Sequence, residues 1–351
     1  MSGHQQKFRQ RVQTNTLNET IDFVIPWVDG SDSAWSEKMK QWLPAGFSPK
    51  ECCHRDWGLL RYWFRAVEKF APWVNRIHFV TDGQRPDWLD ISHPKLNPVD
   101  HKDFIPSEWL PCFSSHPIEL NMHRIGGLSE HFVYFNDDTF LLRPVGPELF
   151  FKDGIPGLVA ALESRTPYNN GIHCYINNTI TLSSNFDIPK RVMANKGVWL
   201  NPLRNGIGTV IRNCLYLKYF EFTNLAHNNH LPTPYRKSLL EEVWNSEPGL
   251  LSNVSSHRFR QDDDVNQWLF HNWALMKGEF FPVREKQLGR FHMISGIDGA
   301  IKASEDIKHQ KCRMICVNDD ILNRDEFESI RSSMEDAFKK LLPEKSSFER
   351  Y

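Results

Sequence analysis

The segment His131-Phe132-Val133-Tyr134-Phe135-Asn136-Asp137-Asp138 holds the clearest chemistry in this sequence. An apolar and aromatic run ends abruptly in an amide and two carboxylates, the pattern of a buried strand that stops at a site. Carboxylates set just past a buried strand are costly unless something positive fills the space beside them. Oxygen ligands of this kind suit hard divalent cations, and Mg²⁺ or Mn²⁺ commonly bridges carboxylates to substrate phosphates. Asn and Asp also favour turns, so a plain strand-to-loop corner is the competing reading. In open α/β sheets ligands gather outside the carboxyl ends of the strands, where this cluster falls.

Two further strand ends carry acids. Ile21-Asp22-Phe23-Val24-Ile25 reads as a strand broken at Pro26 and followed by Trp27-Val28-Asp29-Gly30-Ser31-Asp32, a loop of turn formers. Ile77-His78-Phe79-Val80 reads as another, closed by Thr81-Asp82-Gly83. Between them Leu60, Trp63, Phe64 and Val67 recur at helical spacing, with Pro72 as the stop. Strand, helix, strand is a βαβ unit and predicts a parallel sheet. Asp29 and Asp32, Asp82, and Asp137 and Asp138 then share one rim.

Later in the chain, His227-Asn228-Asn229-His230-Leu231-Pro232 offers two histidines. They could share a metal, but Pro232 and Pro234 rule out a continuous helix through them. One of them acting as general base fits equally, because imidazole titrates near working pH. An ordinary surface or core histidine is the plain alternative. His257-Arg258-Phe259-Arg260-Gln261-Asp262-Asp263-Asp264 follows. It reads either as a charged helix start or as an arginine placed to grip phosphate oxygens. Carboxylates for a cation, a histidine base and an arginine clamp are together the components of phosphoryl transfer. The sequence has neither a P-loop nor the kinase His-Arg-Asp set.

The rest of the chain bounds this reading. Its 351 residues allow one large α/β domain or two smaller ones. A net charge of −1 argues against nucleic acid as a partner. With 12 Trp and 24 Phe, an aromatic-rich core is the first expectation and a stacking platform the second. No apolar run approaches the ~20 residues of a membrane span, and Met1 to Thr20 reads as a polar arm rather than a signal peptide. Seven cysteines lack disulfide-framework spacing; Cys312 and Cys316 have no second pair to complete a zinc site, and Cys52-Cys53 read as free thiols. Residues 21–141 and 230–351 are expected to form the two parts of a catalytic core. Residues 142–229, rich in Asn, Gly and Pro and without strong periodicity, are expected to be an inserted lid or acceptor region. Helices are expected over 234–244, 263–276 and 324–342.

Four ordered blocks, Ile21–Asp32, Arg55–Leu141, His230–Met276 and Cys316–Phe348, resemble the conserved regions of the Stealth family. That family comprises bacterial capsular and exopolysaccharide phosphotransferases and the catalytic subunit of the lysosomal-enzyme N-acetylglucosamine-1-phosphotransferase. Ala71-Pro72-Trp73-Val74, Val80-Thr81-Asp82-Gly83-Gln84, His123-Arg124-Ile125-Gly126-Gly127-Leu128-Ser129 and Asn136-Asp137-Asp138 carry most of the likeness. The resemblance implies a nucleotide-sugar transferase-like core with an inserted subdomain. It also implies transfer of a sugar-1-phosphate from a nucleotide sugar, such as a UDP-sugar, to a glycan hydroxyl, dependent on Mg²⁺ or Mn²⁺. By the same likeness Asn136, Asp137 and Asp138 hold the metal, and His230, Arg260 and Asp32 are catalytic. Trp27, Asp29, Gly30, Asp82, Arg124, His257 and Asp264 bind substrate. Asp32 is preferred to Asp29, because the animal enzymes carry Asn at the Asp29 position. Without the animal enzyme's spacer modules and anchors, the chain resembles the bacterial branch. Its expected place is the cytoplasm, with peripheral attachment at the inner membrane face and a polysaccharide or lipid-linked oligosaccharide as acceptor. The competing functions are an ordinary glycosyltransferase and a non-catalytic glycan-binding protein.

Overall fold

The computed structural model describes residues 20–46, 54–164, 173–219, 224–225, 230–321 and 323–350. The polar arm up to residue 19, Cys52-Cys53 and His227 lie outside the described residues. The strands that carry the site are β1 (Ile21–Pro26), β2 (Ile77–Thr81), β3 (Leu96–Asp100), β4 (His131–Tyr134), β5 (Thr139–Leu141), β6 (Thr233–Arg236), β7 (Gly289–Ile294) and β8 (Met314–Asp319). The central sheet runs β6-β4-β1-β2-β3. β4, β1, β2 and β3 are mutually parallel, and β6 closes one edge antiparallel to β4. This is the expected mixed α/β architecture with a mostly parallel central sheet.

The chain builds outward from β1 through β2 to β3, then returns across the sheet to lay β4 on the other side of β1. The strand order therefore reverses between β1 and β4, and a crevice opens at the carboxyl ends of these two strands. A second, smaller sheet runs β7-β8-β5. β5 begins one residue after Asp138, so the Asn-Asp-Asp segment is the corner where the chain leaves one sheet and enters the other.

β1 shows why the sheet is packed on both faces. Phe23 and Ile25 point into a cluster with Trp63 and Phe64 of the helix at Leu60–Phe70, whereas Val24 points into the opposite cluster with Val80, Phe132 and Tyr134. That alternation is the pleat of a strand buried on both sides. The aromatic content belongs mainly to these cores: Trp63, Trp199, Phe23, Phe79, Phe132 and Phe135 are all buried.

At the amino end of the sheet, fully buried Asp22 accepts from Asn75 Nδ2 at 2.7 Å, Ser129 N–H at 2.8 Å and His78 Nε2 at 3.0 Å. Burial raises this carboxyl, but the bonds from His78, Asn75 and Ser129 outweigh it and hold Asp22 below the usual carboxylate range. A lowered folded-state value means the stabilisation is present above the unfolded carboxylate value, about 3.9, and is lost as pH falls through the folded one. Asp22→Ala should therefore cost about 3–5 kcal/mol at neutral pH, the scale for breaking a buried pair. Urea unfolding would read this, with the gap to the parent protein narrowing as pH drops below the usual carboxylate value.

Two expectations from the sequence need correction. Residues 234–236 are strand, not helix. Thr233-Pro234-Tyr235-Arg236 forms an edge strand on β4, where proline is tolerated, and the helix starts at Lys237. The helix expected from Asp263 starts only at Trp268, because Asp264 turns its carboxylate inward as a loop partner. Among the described residues, the inserted region 142–229 holds short strands and the helices His173–Asn185, Ile188–Ala194 and Ile207–Lys218. The terminal helix Arg324–Leu341 forms as expected, burying Phe327, Ile330, Met334 and Phe338. Among the described residues no helix is long and apolar enough to cross a membrane.

Candidate active site

Register brings the two halves of the site together. β6 pairs antiparallel with β4 as Thr233 with Tyr134. Continuing that pairing three residues outward sets His230 across from Asp137. The structure closes this approach with bonds: Asn136 Nδ2 donates to the His230 carbonyl at 3.3 Å, and Thr139 Oγ1 donates to the same oxygen at 3.0 Å. His230 takes a left-handed backbone with φ of 61°, rare for a side chain of its size and sustained here by those two bonds. Its Nδ1 stands 4.0 Å from Asp138 Oδ2, and its ring packs against Phe291 of β7.

The two acids differ sharply in their surroundings. Asp138 Oδ1 accepts from Thr139 Oγ1 at 3.1 Å, while its Oδ2 accepts from Asn318 Nδ2 at 2.9 Å and from the Cys316 thiol at 3.2 Å. Its carbonyl receives the Val317 N–H, so β8 fixes the residue in place. Asp137 is exposed and has no side-chain partner among the described hydrogen bonds. Desolvation pushes its carboxyl up to about 8, and the charges of Asp138 and Asp56 push the same way. Because the residue itself reaches solvent, the crowding of like charges is the firmer cause. No Lys or Arg among the described ion pairs neutralises this corner.

That donor set fits a hard cation. Asp137 offers an open carboxylate and Asp138 a rigid one. Asp138, His230 and Cys316 also approach one another closely enough to share an ion. However, burial and the Asp138 charge push the Cys316 thiol well above its usual range. As a neutral S–H donating to Asp138 it serves to orient that carboxylate, not to bind Mg²⁺ or Mn²⁺.

Beside β1 a cleft of about 410 Å³ opens, lined by Trp27, Asp29, Asp32, Asp56, Arg61 and Arg85. Trp27 Nε1 donates to Asp56 at 3.2 Å, and its ring packs on Phe79. Asp29 accepts from both the N–H and the hydroxyl of Ser31, and its backbone is clamped by the Gln84 side-chain amide. Gly30 donates to the His54 carbonyl so closely that any Cβ would collide with that oxygen. Two arginines, two tryptophan-bearing walls and a carboxylate rim give this cleft the makings of a site for a charged, ring-bearing ligand.

Several candidates from the sequence are placed elsewhere or already engaged. Asp32 caps the helix Ser33–Lys40 through Trp35 N–H at 2.9 Å. That bond holds its carboxyl below the usual range, which suits an anion better than an acid–base catalyst. Asp82 is paired with Lys38 at 2.7 Å. Arg124 lies over the Trp244 ring at 4.8 Å and makes no described contact with the carboxylate corner. Asp264 is buried and accepts from His116 and His257, each at 2.7 Å, and from Gln261 N–H. Asp264 therefore positions His257 and cannot itself meet a ligand. Arg260 is exposed and lies 3.4 Å from Ser115 Oγ, with no described hydrogen bond or ion pair to Asp137 or Asp138.

Asn318, Asp56, Arg61 and Arg85 were not singled out from the sequence, and Cys316 was weighed only as half of a zinc pair. A signal for Asn318 and Cys316 was present: Ile315-Cys316-Val317-Asn318-Asp319-Asp320 repeats the apolar run and Asn-Asp-Asp ending of β4.

Comparison with known proteins matches two stretches of the chain. Residues 19–46 match Stealth protein CR1, conserved region 1, and residues 53–156 match Stealth protein CR2, conserved region 2. The receptor polysaccharide phosphotransferase WefC of Streptococcus gordonii is 41% identical over 339 residues, covering 94% of this chain and 99% of that protein. The chain belongs to the Stealth family. The capsular polysaccharide phosphotransferase WcwK of Streptococcus pneumoniae is 38% identical, covering 94% of this chain and 99% of its own. The exopolysaccharide phosphotransferase cps2G of Lactiplantibacillus plantarum is 38% identical, covering 94% and 96%. Among solved structures, the WbbM bifunctional glycosyltransferase aligns over 93% of this chain and 53% of that one, at 9% identity and a TM-score of 0.37. So loose a likeness adds nothing to the fold assignment, which rests on the sheet order. The two matched Stealth regions contain the Trp27–Asp32 loop and the Asn136–Asp138 corner; His230 and Asn318 lie outside them.

Proposed function

We propose that this Stealth phosphotransferase moves a sugar-1-phosphate from a nucleotide sugar, with a UDP-sugar as the donor to test first. The acceptor is a hydroxyl of a growing capsular or exopolysaccharide, or of a lipid-linked oligosaccharide. The observation that carries the reading is the pairing of an uncompensated carboxylate corner with His230 at the point where the strand order reverses. Bound at Asp137 and Asp138, Mg²⁺ or Mn²⁺ would neutralise pyrophosphate charge. The β1 cleft would take the nucleotide end of the donor, with Arg61 and Arg85 beside its phosphates. His230 accepts the proton of the acceptor hydroxyl, whose oxygen attacks the phosphorus that bears the sugar. The bond from that phosphorus to the bridging oxygen breaks, and the nucleoside monophosphate leaves. The bond between the anomeric carbon and its oxygen survives.

Product analysis tests this directly. Incubation with UDP-sugars, Mg²⁺ and a capsular oligosaccharide should release UMP and form a phosphodiester. Release of UDP with a new glycosidic bond would replace the proposal with an ordinary glycosyltransferase, and no nucleotide release with any nucleotide sugar would favour a binding protein.

A further inference from the structure

The helix Ile207–Lys218 packs Tyr216 and Leu217 against the core yet also carries apolar side chains on its outer side. Its inner face is held by Asn213, fully buried, whose Oδ1 accepts from Leu162 N–H at 2.9 Å. Asn213 Nδ2 donates to the carbonyls of Ala160 and Trp199, each at 3.1 Å. These three bonds fix the rotation of the helix about its axis. Its outward stripe is apolar: Ile207, Ile211 and Leu215, spaced four apart, are 72%, 55% and 43% exposed. Leu203 extends the patch before the helix at 85% exposed, and Tyr219 follows it at 64%. A helix of a water-soluble surface normally turns such a stripe inward, and a contiguous exposed patch of this kind marks a contact surface.

Charge decides what the surface meets. From Ile188 to Tyr219 the chain carries Lys190, Arg191, Lys196, Arg204, Arg212 and Lys218 and no Asp or Glu. The whole chain has a net charge of −1, so this segment concentrates positive charge that the rest balances. A second copy docking through the same face would bring Arg204 and Lys218, both exposed beside the stripe, against their counterparts, which disfavours self-association. An apolar helical stripe flanked by Lys and Arg is the pattern of a helix lying in the plane of an anionic bilayer surface. The long basic side chains can reach headgroup phosphates while the stripe enters the acyl boundary.

We infer that Leu203 and the Ile207–Leu215 stripe, with their basic flanks, dock this protein on anionic lipid membranes. The inference goes beyond the phosphotransfer reading and does not depend on it, because binding is measured without turnover. If both hold, the inserted region brings the core to the surface where a lipid-linked acceptor resides.

The test is co-sedimentation with vesicles of phosphatidylcholine alone or mixed with phosphatidylglycerol. The protein should sediment with the mixed vesicles, bind phosphatidylcholine weakly, and dissociate as salt rises past the level at which screening shortens to a few ångströms. The triple variant Ile207→Ser, Ile211→Ser, Leu215→Ser should bind at least tenfold more weakly while keeping its circular dichroism, since all three side chains face water. The variant Arg204→Gln, Lys218→Gln should lose about fivefold per position, the equivalent of ~1 kcal/mol for each cation at an anionic surface. Absence of binding to the mixed vesicles overturns the inference. So does undiminished binding by a folded triple variant, or a dimer that the triple variant dissociates in place of lipid binding.

Discussion

Asp137→Asn is expected to remove turnover supported by Mg²⁺ or Mn²⁺ while leaving the fold as stable as before, or more so. Of the two corner acids, Asp138 is already engaged by Thr139, Cys316 and Asn318, whereas Asp137 has an open carboxylate. A cation at this corner would rest most directly on Asp137. Losing that ligand removes charge stabilisation worth several kcal/mol, a fall on the order of 10³-fold in rate. The stability effect has the opposite sign for a stated reason. The Asp137 carboxyl is pushed up to about 8 by desolvation and by the charges of Asp138 and Asp56. A raised folded-state value for an acid means its ionised form opposes folding, so stability without metal declines as pH rises through the range between the unfolded and folded values. Asn removes that charge. Added Mg²⁺ or Mn²⁺ should raise the melting temperature of the parent protein by mass action and barely move that of the variant. Asp138→Ala should also lose activity, but with a lower melting temperature, because Asn318 and Cys316 are left without their acceptor. Near-normal turnover by Asp137→Asn in the presence of a chelator would remove the metal from the site.

The strand ends were legible in the sequence because buried parallel strands announce themselves as short apolar runs and their termini as sudden polarity. Ile21–Pro26, Ile77–Thr81 and His131–Tyr134 formed where the pattern placed them, with their acidic loops on one rim. What each acid does was not legible. Asp32, Asp82 and Asp264 resemble Asp137 in sequence, yet a helix start, a lysine and a pair of histidines claim them. Lys38 and His116 reach their acids from 44 and 148 positions away in the chain, which no local window contains, whereas the helix that Asp32 caps is a local feature. The second sheet was missed for the same reason: Met314–Asp319 becomes part of the site only by pairing with Thr139–Leu141. The insertion's lack of strong periodicity has a different cause. The helix Ile207–Lys218 is held by a buried asparagine and turns its apolar stripe outward, so hydrophobic periodicity does not report its inner face.

His230→Ala is expected to lower turnover by ~10²–10⁴-fold, the usual contribution of a positioned general base, with donor affinity little changed. The position follows from the β4–β6 register, and the carbonyl bonds from Asn136 and Thr139 pin its backbone independently of the ring. Removing the imidazole should therefore leave the carboxylate corner intact. Two measurements separate a base from a structural residue. Free imidazole added to His230→Ala should restore part of the rate, since the vacated space lies beside Phe291 and opens toward Asp138. Binding of a nucleotide sugar, read by calorimetry with Mg²⁺ present, should match the parent protein within a few fold. His230→Gly should behave like His230→Ala in rate but with equal or better stability, because a φ of 61° suits glycine. If His230→Ala loses donor binding together with rate and imidazole restores nothing, His230 belongs to the donor site. The proton would then pass to another group on the rim.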